Sequence, residues 1–336
     1  MTIIYAILIF CLLIFVHEFG HFIVAKMCGV KVNEFSLGMG PAIFKKQKGE
    51  TLYSLRVLPI GGYCAMEGED EESDEPRAFG NQPAWQRACI LVAGAFMNLV
   101  TCVVLLIIMS LAIGQATTTI ASIEPDSPAM NAGIKAGDTI VAVDGKEVDE
   151  WADVINILGG SKESSADITI DRDGQEMIVT SELEYDKEAG RNRIGITAKS
   201  VHNPASAISD GVKNTGSMAV LMYTTLKQLV TGDVSIGELS GPVGVVYVTN
   251  QAAKSGFIYV VYIAALLSLN LAIVNMLPLP ALDGGRVLML IIRLFTGNKV
   301  SDETEGKIHF IGICLLLALM IMITINDVIK FVIPAF

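Results

Sequence analysis

The chain has 336 residues and a formal net charge of −11, and it is 52% hydrophobic with only 18% charged residues. Ordinary soluble domains carry about 25% charged residues, so a wholly soluble protein is excluded, and the acidic balance argues against a nucleic-acid binder. Uncharged stretches over 88–123, 257–282 and 308–326, with another from residue 3 to about residue 27 broken only by one short polar cluster, give about four spans of the ~20 residues a bilayer requires.

The first predicted span, 1–28, opens on an apolar run without a basic leader or small-residue cleavage site, so it is expected to stay in the mature protein. Its second half reads LLIFVHEFGHFIVAKM, which places His17, Glu18 and His21 in an otherwise apolar helix. Ionisable groups at membrane depth are costly and require compensation. The pattern is H-E-x-x-H. On a helix the imidazoles at i and i+4 share a face and can grip one zinc ion, while the glutamate between them is placed as a base for an attacking water. If the helix enters near Ile3, His17 lies about 21 Å along it, roughly two thirds of the way across a ~30 Å core. A helix-gluing polar patch or a transporter's proton relay is the alternative.

Residues 29–87 alternate apolar and polar positions around glycine pairs in NEFSLGMGPAIFKKQKGETLYSLRVLPIGGYCAMEGE, which predicts a membrane-associated β-hairpin. Its edge is expected to receive a substrate strand, with Leu55 and Val57 as candidate substrate contacts. The acidic run EGEDEESDEP reads as a solvated linker, and the second span is expected at 88–114.

A polar insert follows, holding 20 of the 35 acidic but 11 of the 24 basic residues between 115 and 256 and none of the six cysteines. No disulfide framework is implied. TTTIASIEPDSPAMNAGIKAGDTIVAVDGKEV reads as strands around turns closing on Asp144-Gly145, EWADVINILGG as a short helix, and 166–181 as a hairpin around Asp173-Gly174. The stretch SPAMNAGIKAGDTIVAVDG resembles a PDZ domain, implying a peptide-binding α+β domain at 115–200. Residues 201–256 read as an amphipathic helix over 203–230, on the membrane or in the insert's core, and then a connector.

The third span, 257–285, ends in NLAIVNMLPLPALDGGR, where Pro278 and Pro280 break the helix and Gly284 and Gly285 permit close backbone approach. Asp283 here is either a cap or turn residue or, at the level of His17 and His21, the third ligand that a catalytic zinc usually has. A loop at 286–307 and a fourth span at 308–334 complete the chain. Basic residues concentrate in 26–87 and 286–307, so those loops are expected in the cytoplasm, with both termini and the insert outside. His202 and His309 read as ordinary structural histidines.

HEFGH in a first span, NMLPLPALDGG ending the third, and SLGMGP with LPIGGYCAMEGE between the first two together resemble the site-2 protease family of intramembrane zinc metalloproteases, of the bacterial regulator of sigma-E protease type. The resemblance covers nearly the whole chain. It implies Zn2+ on His17, His21 and Asp283, Glu18 as the catalytic base, and Asn270, Asn275, Pro278 and Pro280 beside the substrate; helix-to-helix bonding is the other reading of the asparagines. Gly94 and Asn98 in AGAFMNLV are similar to the family's second-span G-P-x-x-N pattern, with Ala95 in place of proline. The expected fold is a polytopic α-helical membrane protein with about four transmembrane helices, a membrane-associated β-hairpin and one extracytoplasmic PDZ-like α+β domain. The implied function is regulated intramembrane proteolysis in the bacterial cell membrane, on single-span membrane proteins such as an anti-sigma factor or a signal-peptide remnant. A membrane scaffold or transporter with a structural ion site and a peptide-binding PDZ-like domain is the competing reading.

Overall fold

The computed structural model describes residues 2–69, 73–187, 189–234, 237, 240–296 and 302–333. Residues 70–72 of the acidic run, 297–301 of the expected loop and residue 334 of the last span lie outside them. The chain divides into two compact units, residues 1–109 with 211–336, and 110–210.

Helix α1 (Thr2–Met27) is apolar on all sides, and Ile4, Leu8 and Leu12 are exposed, as a span surrounded by lipid requires. Two long strands follow, β1 (Val32–Lys48) and β2 (Thr51–Met66), which pair antiparallel. Their register folds back on itself. Phe35 faces Cys64 on one side and Tyr53 on the other, Leu37 faces both Gly62 and Leu55, and Leu55 in turn faces Phe44. The central stretch 34–37 therefore lies between 62–65 and 52–55, advancing in the same direction as the latter. Left-handed backbone at Gly38, Gly40 and Gly61 bends the strands enough to do this.

The expected hairpin is present, with its turn at Gly49 and Glu50, but its strands fold so that Leu55 is not at an edge. Leu55 is flanked by strand on both sides, so it belongs to the sheet interior, and the outer edges are 61–66 and 42–48. One face packs on α1 through Phe15, Phe19, Phe22, Phe35 and Tyr53, with Phe22 and Phe35 centroids 5.0 Å apart. On the sheet Arg56 donates to Glu34 at 2.7 Å, to Ser36 at 3.0 Å and to the Gly40 carbonyl at 2.6 Å. At the turn beyond the sheet Arg77 and Lys26 hold the Glu50 carboxyl down to about 2.

Helix α2 (Ala84–Ile113) packs close to α1, because Gly20 presents no Cβ to the Ala93 carbonyl. The second unit begins near its end. Strands β3 (Gln115–Ile123), β4 (Thr139–Val143), β5 (Lys146–Glu147), β6 (Ser165–Arg172), β7 (Gln175–Glu182) and β10 (Ile196–Val201) form a sheet of order β10-β3-β4-β6-β7 with β5 on β4, and β8 (Glu184–Asp186) pairs with β9 (Arg191–Arg193). The short α3 (Pro128–Asn131) and α4 (Trp151–Gly160) complete it, over a core of Ile120, Ile140, Val143, Val154, Leu158, Ile168, Ile170 and Ile194. Both expected Asp-Gly turns are present, with positive φ at Asp144, Gly145, Asp173 and Gly174. Arg172 holds the buried Asp138 carboxyl below the usual carboxylate range through two hydrogen bonds of 2.7 Å.

The amphipathic segment is α5 (Pro204–Thr231), and from Gly211 onward its small face packs along α2: a Cβ on Gly211 would meet the Val103 carbonyl, and Thr215 Oγ1 lies 3.7 Å from Cys102 Sγ. The expected connector is partly a helix, α6 (Pro242–Ser255), started by Pro242 and fixed by Asp327, whose carboxylate accepts from the N–H groups of Gly241 and Gly244 at 2.9 and 2.7 Å. Helix α7 (Phe257–Asn275) follows; then α8 (Asp283–Thr296), where a loop was expected, and α9 (Asp302–Asp327). Leu288, Ile291, Leu294 and Phe295 line an exposed apolar stripe on α8, which is why the segment coils despite its opening glycines. Four helical stretches are long and apolar enough to cross a membrane: Ile4–Met27, Ala84–Ile113, Phe257–Asn275 and Gly306–Phe331.

Candidate active site

The helical period sets His17 and His21 on one face of α1, one turn apart. Their rings meet edge to face with centroids at 4.8 Å, and their Nε2 atoms lie 3.3 Å apart. Asp283 arrives from the far end of the sequence. After α7 the chain turns through Leu277–Leu282, and α8 begins with Asp283 followed by Gly284 and Gly285, whose missing side chains let the helix start against the carbonyls of Met276, Leu277 and Leu279. Asp283 Oδ2 then stands 3.2 Å from Nε2 of His17 and 3.5 Å from Nε2 of His21.

The three ligand atoms stand 3.2 to 3.5 Å apart, the edges of a coordination tetrahedron. Tetrahedral coordination at about 2.05 Å from a zinc ion separates its ligands by about 3.3 Å. The His21 tautomer agrees with a cation at the centre. Nδ1–H of His21 donates to the carbonyl of Ile90 on α2 at 2.8 Å, so in the neutral ring Nε2 offers only a lone pair toward the carboxylate. The Asn98 amide nitrogen lies 3.3 Å from Nδ1 of His17, so α2 also touches the second ring. Asp283 Oδ2 is buried with no hydrogen-bond partner of its own. Three electron-rich atoms aimed at one point in an apolar surrounding repel one another unless a metal joins them. The residues fit zinc.

Helix α2 makes room for the rings. A Cβ on Gly94 would overlap Nε2 of His21 and stand 2.7 Å from Cε1 of His17. Gly94→Ala is expected to weaken zinc binding roughly 10- to 100-fold, the usual range for disturbing a ligand's support. Chelator competition on the purified protein measures this, and an affinity within twofold of wild type would show that the rings do not rest on Gly94.

Glu18 is not among the three atoms that converge within 4.8 Å. Its Cγ lies 3.5 Å from where a Cβ of Gly62 would be, on the strand edge 61–66. Asn275, the last residue of α7, brings its amide 3.4 Å from Nε2 of His17. Asn270 is exposed on α7 and, among the described residues, makes no hydrogen bond to the cluster. Pro278 is exposed; Pro280 is half-buried, its Cβ seated against Gly312 of α9. Leu55 and Val57 are exposed on the sheet, 44% and 53%, away from the edge beside Glu18. The Ile90 carbonyl escaped sequence reading altogether, because a backbone group leaves no residue signature.

The family model for peptidase family M50 matches residues 5–319. A zinc metalloprotease of Clostridium acetobutylicum is 41% identical over 330 residues, covering 98% of this chain and 97% of its own. The regulator of sigma-W protease RasP of Bacillus subtilis is 30% identical over 413 aligned positions, covering 97% and 98%, so it carries segments without a counterpart here. The PDZ domain of an SdrC-like protein of Listeria monocytogenes aligns with 25% of this chain and 87% of its own, at 25% identity and a TM-score of 0.22.

Proposed function

Because the chain belongs to peptidase family M50 and is an intramembrane zinc metalloprotease of regulated intramembrane proteolysis, we propose that His17, His21 and Asp283 hold its zinc and that Glu18 is its catalytic base. The observation that carries this is the convergence of three ligand atoms within 4.8 Å among apolar helices, with Glu18 adjacent but outside the set. Family membership sets aside the scaffold and transporter readings.

When bound, zinc polarises the scissile carbonyl and lowers the pKa of the attacking water toward ~7. Glu18 takes a proton from that water and returns it to the leaving amine, so the carboxylate is restored at the end of each turnover. The Asn275 amide, 3.4 Å from His17 Nε2, is placed to donate to the oxygen on which charge develops. Asn270, exposed on α7 before Asn275, would meet an incoming chain.

A transmembrane substrate is helical, and its peptide bonds are shielded until it is unwound. The strand edge 61–66 lies beside Glu18 and has no strand partner on its outer side among the described residues. A substrate segment adding there as an extended strand would present its carbonyls to the site. Leu55 and Val57, with Met39 and Phe44, supply the exposed apolar surface that keeps this sheet in the membrane and touches substrate side chains. The substrates are single-span membrane proteins, an anti-sigma factor or a signal-peptide remnant; the Bacillus subtilis relative is named for regulating sigma-W. The zinc site lies in the bacterial cell membrane toward the cytoplasm; both termini and the 110–210 unit lie outside. There, among the described residues, β10 pairs only with β3 and offers an edge for peptides, a PDZ-like role in filtering or sensing substrates.

The test joins a cleavage assay on a single-span substrate with photo-crosslinking. Chelation should stop cleavage and added zinc restore it. A crosslinker at Ala65 should capture the substrate and one at Lys46, on the opposite edge, should not. Cleavage that survives chelation would sink the metal assignment, and capture at Lys46 alone would sink the edge assignment.

A further inference from the structure

Four described residues other than glycine have positive φ: Asp126, Asp144, Asp173 and Ala281. The three aspartates are at home there, since a short polar side chain can bond its own backbone. Ala281, at φ 76, has no such means. It lies two residues before Asp283, and its backbone sets the direction in which the chain enters α8.

The support comes from α9. The N–H of Ala281 donates to Nδ1 of His309 at 3.0 Å. One turn along the same helix face, Gly312 leaves the space that Pro280 fills: a Cβ there would stand 2.7 Å from the Pro280 carbonyl oxygen. On its other side the loop is closed by Gly284 and Gly285 against the carbonyls of Met276, Leu277 and Leu279. The segment between Pro280 and Asp283 is thus held between two surfaces; Leu282 bonds locally, its N–H to the Leu279 carbonyl at 3.2 Å, and His309 is the side chain of α9 that holds Ala281.

We propose that His309 is a positioning residue of the metal centre: by accepting the Ala281 N–H through Nδ1 it holds the left-handed turn that aims Asp283 at His17 and His21. The inference rests on the zinc assignment above and adds to it a residue that touches neither metal nor substrate. Support for a ligand from outside its own shell ordinarily changes metal affinity 10- to 100-fold.

The chemistry of the acceptor supplies the test. Asparagine carries its oxygen on the same carbon that bears Nδ1 in histidine, whereas glutamine carries it farther out, in place of Nε2. With full-length protein in detergent and a competing chelator, His309→Asn should bind zinc within about twofold of wild type and His309→Gln roughly tenfold more weakly. Adding Ala281→Gly to His309→Gln should recover most of that loss, because glycine takes a positive φ without a pin. A general loss of packing would not be mended by that second change, so the recovery separates positioning from stability. Glutamine matching wild type, asparagine falling as far as glutamine, or no recovery with Ala281→Gly overturns the role of His309 while the zinc assignment stands. A wild-type chain that takes up no zinc overturns both.

Discussion

Replacing Glu18 with glutamine is expected to leave zinc near one per chain and to lower peptide cleavage by roughly 10³-fold, within the 10²- to 10⁴-fold range of a lost acid–base catalyst. The two side chains have the same length and nearly the same helix propensity, so α1 and the seats of His17 and His21 are undisturbed. Glu18 is absent from the three atoms that meet within 4.8 Å, so the metal should not register the change. What disappears is the group that accepts the water's proton and later gives it up, and an amide does neither. Metal analysis with single-turnover cleavage on one preparation checks both halves. Cleavage within tenfold of wild type, or zinc lost together with activity, would remove Glu18 from the role of base.

Asp283→Ala should fail in the opposite order, losing the metal first and activity as its consequence. Its Oδ2 is the one negatively charged member of the triangle, 3.2 and 3.5 Å from the imidazole nitrogens. Removing it leaves two neutral ligands, and the loss should exceed the roughly 10- to 100-fold that an outer partner costs. The purified variant should carry well under one zinc per chain and show no cleavage. Asp283 also opens α8 as an acid in its first turn, so Asp283→Asn is the companion variant: it keeps an oxygen and a good helix start without the charge. Intermediate zinc retention in Asn and near-complete loss in Ala would mark the carboxylate as a ligand. Equal, full occupancy in both would return Asp283 to a capping residue.

Much of this centre was legible because its first half is local. His17, Glu18 and His21 occupy five consecutive positions, and the helical period alone assembles them. Asp283 was legible as chemistry but not as geometry: its place depends on Ala281, Gly284, Gly285 and His309, and nothing in LPLPALDGG announces that Ala281 has a partner 28 residues farther on, on α9. The spans were readable from charge-free length. The sheet was not, since alternation in 29–87 predicts strands but cannot say that Phe35 will sit between Tyr53 and Cys64. Pairing across such distances is decided by the aromatic packing on α1. Helix α8 was missed because two glycines at its start argue against a helix locally, while the Met276 and Leu279 carbonyls require them.

The contact between His21 and the Ile90 carbonyl bears on how this centre is inherited. What α2 supplies at that point is main chain, which every amino acid carries, so residue 90 can drift among apolar side chains of similar volume without touching the imidazole's tautomer. Residue 94 has no such freedom, because there the contribution of α2 is the absence of atoms. Two positions one turn apart on one helix, both against the same ring, should therefore accumulate change at very different rates, and the quieter of them is the one with no functional group.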